Sequence, residues 1–148
     1  MLRALRQPPF KACCPWLAEQ ACKWSEQFRF IVVYIEEAHA VDEWPVGSLT
    51  SVTEQPKALE QRIELAQRVH VSPTLLNGAT NVEVLCDSMA NYFQDAMACW
   101  PIRFFVLEPA SGVLQFKAQP DLSPDVYGYP LESLSDWLNN NARSVVAL

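Results

Sequence analysis

"FRFIVVYIEEAHAVDEW", Phe28 to Trp44, decides the fold. Its first half is rich in β-branched and aromatic residues and apolar almost throughout, the pattern of a strand covered on both faces, hence central and parallel. Its second half turns at once into two acids, a histidine and a third acid. Open α/β sheets collect ligands and catalytic groups at the carboxyl ends of such strands, so the abrupt change marks a candidate site. Glu37 and His39 are two apart. An extended backbone would point both to one side, where a carboxylate can orient an imidazole and favour its protonated form. A charged strand end that caps nearby backbone groups is the competing reading of the same residues.

Upstream, Phe10, Cys13 or Cys14, Leu17, Ala21, Trp24 and Phe28 recur at three- and four-residue steps, the stripe of a packed helix that Pro15 should kink. Downstream, "PVGSLTSVTEQ" is loop by composition. It leads into a second helix, "PKALEQRIELAQRVH", with Pro56 in the first turn and Leu59, Ile63, Ala66 and Val69 or His70 on one face. "VEVLC", Val82 to Cys86, is a short strand. "IRFFVL" and "GVLQFK" form a hairpin with Gly112 in the turn, and Leu131, Leu134, Trp137 and Leu138 give a closing helix that ends in "NNN". Helix, strand, helix, strand, hairpin and helix make a single domain over residues 1–148, α/β in class. The expected arrangement is a thioredoxin-like fold with a mixed central sheet. Such a fold begins with a strand leading to the N-terminus of the first helix, and this sequence is expected to lack it.

Composition sets the outer limits. A chain of 148 residues, 50% apolar and 19% charged, is long enough for a core of its own. Its net charge of −6, with few and scattered Lys and Arg, argues against a nucleic-acid partner. No apolar run reaches the length of about 20 residues that a bilayer crossing needs, and the opening residues lack the apolar core of a secretory signal. The expected location is cytoplasmic, or membrane-associated if an N-terminal anchor has been lost. Five cysteines in no framework-like spacing fit reduced thiols. Cys22, Cys86 and Cys99 lie in apolar settings and read as core. No cysteine pair stands at zinc-ligand spacing from His39 or His70, so no metal is expected.

The motifs resemble those of the iodothyronine deiodinases. "YIEEAHAVDEW" matches the family's YIEEAH-x-x-D-x-W, and "PPF" precedes the first helix in both. "LEQR", Leu59 to Arg62, is similar to SLEDR, and "DSMAN", Asp87 to Asn91, to DTM-x-N. "PIRFFV", Pro101 to Val106, is similar to PERLYV, and "YGYPLESLSDWL" to the family's C-terminal string. The resemblance implies a thioredoxin-like fold, a selenocysteine and an external thiol reductant in place of a bound cofactor, iodothyronines or other iodinated phenols as substrate, and a homodimer. It also implies an active-site hydrogen-bond and proton path through Tyr34, Glu37 and His39, and an arginine, Arg103, beside the substrate cleft. Asp42 and Trp44 shape the loop. Pro101 falls where many thioredoxin-like folds carry a cis-proline.

The departures matter as much. The family's S-x-T-U-P-P-F places selenocysteine immediately before the prolines, and the matching residues here are Ala4, Leu5, Arg6 and Gln7. An amide cannot attack iodine, so the chain is expected to be catalytically impaired. The family's second histidine is replaced by Pro56, and Met97 and Ala98 alter the cleft wall. Cys13 and Cys14 lie more than a turn inside the helix, where the dipole no longer favours a thiolate. Two other roles remain open: a non-catalytic binding or scaffold module that keeps the cleft, and a peroxiredoxin-like thiol reductase using Cys13 or Cys14.

Overall fold

The computed structural model describes residues 9–48, 51–100, 102–118 and 131–142. They belong to two compact units, Met1–Pro101 and Ile102–Leu148. Gln7 and Pro101 lie outside the described residues.

In the first unit α1, Pro9–Lys23, runs through Pro15 and buries Cys13, Cys14, Leu17 and Ala21. Both alternatives for the stripe's second position are therefore buried. Pro15 is exposed, so its ring and missing donor fall on the solvent side of the helix. The stripe was expected to continue to Phe28, but the helix stops at Lys23. Trp24 to Gln27 form a turn in which the Trp24 and Phe28 amides donate to the Gln20 and Trp24 carbonyls, each at 2.9 Å. The buried Gln20 side chain accepts the Trp24 indole N–H at 3.2 Å, which fixes the exit of the chain.

β1, Phe30–Tyr34, pairs in parallel with β2, Val82–Cys86, with Phe30 opposite Val82 and Tyr34 opposite Cys86. Their alternate residues Phe30, Val32, Tyr34, Val82 and Val84 meet Cys14, Leu17 and Ala21 of α1 and Val69 of α2 in one cluster. The expectation that β1 is covered on both faces needs correcting. Ile31 and Leu85, on the opposite face, are 45% and 43% exposed. An apolar run reports strand propensity; which faces are covered depends on where the helices pack, and here both supply the same cluster.

α2, Leu59–Val71, corrects the sequence reading twice. It starts three residues after Pro56, with Ala58 in extended conformation as its cap. Its inward face is Arg62, Ala66 and Val69, whereas Leu59 and Ile63 are 42% and 39% exposed. Those three positions are separated by four and three residues and so share a face. The helix is turned to bury an arginine in place of two aliphatic side chains. Beyond β2 comes a short helix with no sequence-level signal, α3, Tyr92–Met97, whose flanking residues Asn91 and Ala98 have φ of 56° and 47°.

In the second unit β3, Phe104–Leu107, and β4, Leu114–Ala118, form the expected antiparallel hairpin, with a register shift between Val106 and Leu107. Gly112 sits in the loop at φ 70°, a conformation that favours glycine. The Glu108 carboxylate accepts both the N–H and the hydroxyl of Ser111 at 2.7 Å, and the hydroxyl in particular holds its pKa below the ordinary value. The closing helix α4, Leu131–Asn141, buries Leu134 and Leu138 and sets Trp137 5.9 Å from Phe116. A parallel pair and an antiparallel pair, as a mixed α/β fold of the thioredoxin-like type requires, are thus both present. Among the described residues no helix is long and apolar enough to cross a membrane.

Candidate active site

The candidate site grows from the carboxyl end of β1. The strand stops at Tyr34, and residues 35–39 leave the sheet as loop and turn. The expected extended spacing of Glu37 and His39 therefore does not form, because the chain turns one residue after Glu37. The structure joins Tyr34 with Glu37 instead: the phenol hydroxyl donates to Glu37 Oε1. Burial, followed by the Glu37 carboxylate beside it, drives the Tyr34 hydroxyl far above the ordinary phenol range, so it stays protonated. His39 takes another partner. Its Nδ1 lies 3.4 Å from the Trp44 carbonyl oxygen, and its ring meets the Trp44 indole edge-on at 5.1 Å. Trp44, 60% exposed, stacks with Trp100 at 6.5 Å between ring centroids and 14° between planes. His39, Trp44 and Trp100 thus form a run of ring contacts at the loop that follows Glu37.

Gln55 holds this loop in place. Its side-chain oxygen accepts the Glu37 N–H at 2.9 Å, and its Nε2 donates to the Glu37 carbonyl and to Glu43 Oε2, each at 3.1 Å. Its own N–H donates to Asp42 Oδ1 at 2.8 Å, with Lys57 Nζ 3.5 Å from the same carboxylate. The Gln55 N–H in particular lowers the Asp42 pKa. Asp42 is thus a loop-shaping residue.

Behind the loop lies a buried polar cluster. Arg62, 2% exposed, donates from Nη1 to the Ser88 carbonyl at 2.6 Å and to Asn91 Oδ1 at 2.8 Å. Asn91 Nδ2 in turn donates to Glu36 Oε2 at 2.8 Å, and Gln94 Nε2 donates to Glu36 Oε1. The buried Asp87 carboxylate accepts the N–H groups of Ser88, Phe93 and Gln94 at 2.8, 3.1 and 3.0 Å, satisfying the start of α3 from outside the helix. Glu36 comes from "YIEEAH", Arg62 from "LEQR", and Asp87, Ser88 and Asn91 from "DSMAN". Three separate strings thus meet in one network. Sequence reasoning assigned no role to Glu36, Gln55, Arg62, Asp87, Asn91 or Gln94. One signal was available: an arginine in helical register with Ala66 and Val69.

The thiols divide by environment. Burial pushes Cys13 up to about 11 and Cys14 up to about 12, the latter also raised by Cys13. Neither forms a thiolate readily near neutrality. Cys99 is buried, and the half-buried Cys86 donates to the Asp87 carbonyl at 3.3 Å, its pKa also raised by burial. Cys22, expected in the core, is exposed near the end of α1, because it lies one position off the Cys14–Leu17–Ala21 line. Arg103 belongs to the second unit, where its Nη1 donates to the neighbouring Ile102 carbonyl at 2.6 Å. No cluster of three or more potential metal ligands occurs among the described residues.

Comparison with known proteins agrees with the motifs. The sequence profile of the family described as iodothyronine deiodinase matches residues 4–142. The thyroxine 5-deiodinase of Sus scrofa is 30% identical over 131 residues, covering 88% of this chain and 39% of that protein. The Homo sapiens thyroxine 5-deiodinase matches to the same extent. The type I iodothyronine deiodinase of Xenopus laevis is 28% identical over 91 residues, covering 62% of this chain and 33% of that protein. The chain therefore spans about two fifths or less of each of these relatives. With the profile matched over nearly its whole length, the chain belongs to the iodothyronine deiodinase family.

Proposed function

We propose that this chain binds iodinated phenols of the iodothyronine type and carries the proton-handling part of a reductive deiodination site, with turnover impaired at the nucleophile position. The observation that carries the reading is the Tyr34–Glu37 pair at the carboxyl end of a parallel strand, followed in the same loop by His39 and Trp44. In the family reaction a nucleophile takes iodine from the ring and the electron pair of the C–I bond stays on carbon, which must then gain a proton. Two thiol equivalents balance the sum: the iodinated ring and two thiols give the deiodinated ring, iodide with its proton, and a disulfide. A phenol held protonated against a carboxylate can pass a proton to the ring and be recharged through Glu37. His39 lies at the same loop as a second proton donor, and the indole faces of Trp44 and Trp100 offer a flat, polarisable surface to the ring.

Gln7 stands where the family has selenocysteine, and its amide offers no electron pair able to take iodine. Cys13 and Cys14, protonated near neutrality, are poor substitutes, which also counts against the peroxiredoxin-like reading. Binding without turnover is therefore the expected behaviour. Titration with a thyroxine-type iodophenol should quench tryptophan emission, since iodine is a heavy-atom quencher, while excess dithiol releases little iodide. Gln7→Cys should raise iodide release. Absence of binding by the unaltered chain overturns the reading; rapid iodide release by it overturns the impairment.

A further inference from the structure

The side chains of the cluster around Arg62 share no hydrogen bond with Tyr34, Glu37 or His39 among the described residues, yet burying a guanidinium is costly. A guanidinium at 2% exposure must be given hydrogen-bond partners. Arg62 takes two neutral acceptors, the Ser88 carbonyl and Asn91 Oδ1. Its charge complement, Glu36, is reached only through the Asn91 amide.

We propose that Arg62 is a positioning residue for the Tyr34–Glu37 pair, acting through Asn91 and Glu36. Arginine is a donor only, so the Asn91 atom facing Arg62 has to be the amide oxygen. That choice turns the Asn91 NH₂ group towards Glu36, where it occupies Oε2, while Gln94, its own N–H tied to Asp87, occupies Oε1. Both oxygens of Glu36 are then held. Glu37 is the next residue, and Gln55 holds its backbone N–H and carbonyl from the other side. With the Glu36–Glu37 segment fixed at both ends, the Glu37 carboxylate is presented to the Tyr34 hydroxyl. Arg62 also acts on Tyr34 directly, its positive charge opposing the upward push of burial and of Glu37. Both bonds leave one nitrogen, Nη1, so a lysine keeps the charge and can still donate to one of the two acceptors with its shorter side chain.

The functional meaning of the proposal rests on Tyr34 and Glu37 being the proton-handling pair, but its test needs neither turnover nor ligand. In proton NMR of the full chain at low temperature and mildly acidic pH, the Tyr34 hydroxyl should give a slowly exchanging resonance, assigned by its loss in Tyr34→Phe. Arg62→Met should abolish or broaden it in a chain with unchanged circular dichroism, and Arg62→Lys should restore it in part. Gln67→Ala, at an exposed position of α2, should leave it unaltered. Should Arg62→Met not fold, Glu36→Gln and Asn91→Leu interrupt the same path while Arg62 stays in place, and both should lose the resonance. An unshifted resonance in folded Arg62→Met, or in both Glu36→Gln and Asn91→Leu, overturns the proposal. So does its absence from the unaltered chain, since there is then no held pair to position. Failure of the chain to bind an iodophenol would remove the functional reading and leave this result standing.

Discussion

α1 and α2 of the first unit bury opposite chemistry against the same parallel strands. α1 turns inward Cys14, Leu17 and Ala21, a surface held by apolar contact. α2 turns inward Ala66 and Val69 but also Arg62, held by hydrogen bonds to Ser88 and Asn91. The apolar side makes its polar groups inert: desolvation keeps the Cys13 and Cys14 thiols protonated. The polar side keeps its groups oriented, because every bond between Arg62, Asn91, Gln94 and Glu36 restricts where the carboxyl end of β1 can go. Burial by itself therefore does not predict reactivity; the partners available inside do.

Arg62→Ala leaves the Ser88 carbonyl and Asn91 without their donor and Glu36 without its complement, and should cost about 3–5 kcal/mol, read as a lower midpoint in urea unfolding. Leu17→Ala, on the apolar side, should cost about 2–3 kcal/mol by the same measurement and should leave the Tyr34 hydroxyl resonance unchanged. A larger loss at Leu17 than at Arg62 would reverse the assignment of which side is more demanding.

Thiol labelling sharpens the contrast on the α1 side. At pH 8 Cys22 should react with a disulfide reagent at least about ten times faster than Cys13 or Cys14, since those two are both buried and protonated. The same shifts carry a pH dependence. The folded values lie above the unfolded reference of 9.0, so the stabilisation is complete below pH 9 and declines as pH rises towards about 11 to 12. Cys14→Ala should flatten that alkaline decline. The smallest effect belongs to the exposed loop. The folded pKa of Asp42 is below its reference of 3.8, so its stabilisation is present above that value and lost as pH falls through the folded one. Asp42→Asn should slightly lower the melting temperature at pH 7, and the difference should shrink as pH falls below 3.8.

Much of the fold was legible in residue pattern alone. The boundaries of β2, the hairpin with Gly112 in its loop, and the closing helix with Leu134 and Leu138 inward all follow from local periodicity and turn chemistry. The end of α1, the start of α2 and the whole of α3 were not legible. A hydrogen bond from Trp24 to Gln20, the extended conformation of Ala58 and a carboxylate contributed by Asp87 set them, and none of these leaves a periodic trace. At the site, the spacing pairs Glu37 with His39, whereas the fold joins Glu37 to Tyr34 and a turn that the spacing did not reveal brings His39 to the Trp44 carbonyl.

Residue order alone carries the family and the thioredoxin-like class, because both are matters of which residues follow which. Folding is what brings "YIEEAH", "LEQR" and "DSMAN" into one buried network and faces α2 inward with an arginine instead of Leu59 and Ile63. The reason is physical. Periodicity ranks side chains by hydrophobicity, whereas the orientation of a buried charge is set by donors and acceptors from parts of the chain far apart in sequence, and these meet only when the fold is complete.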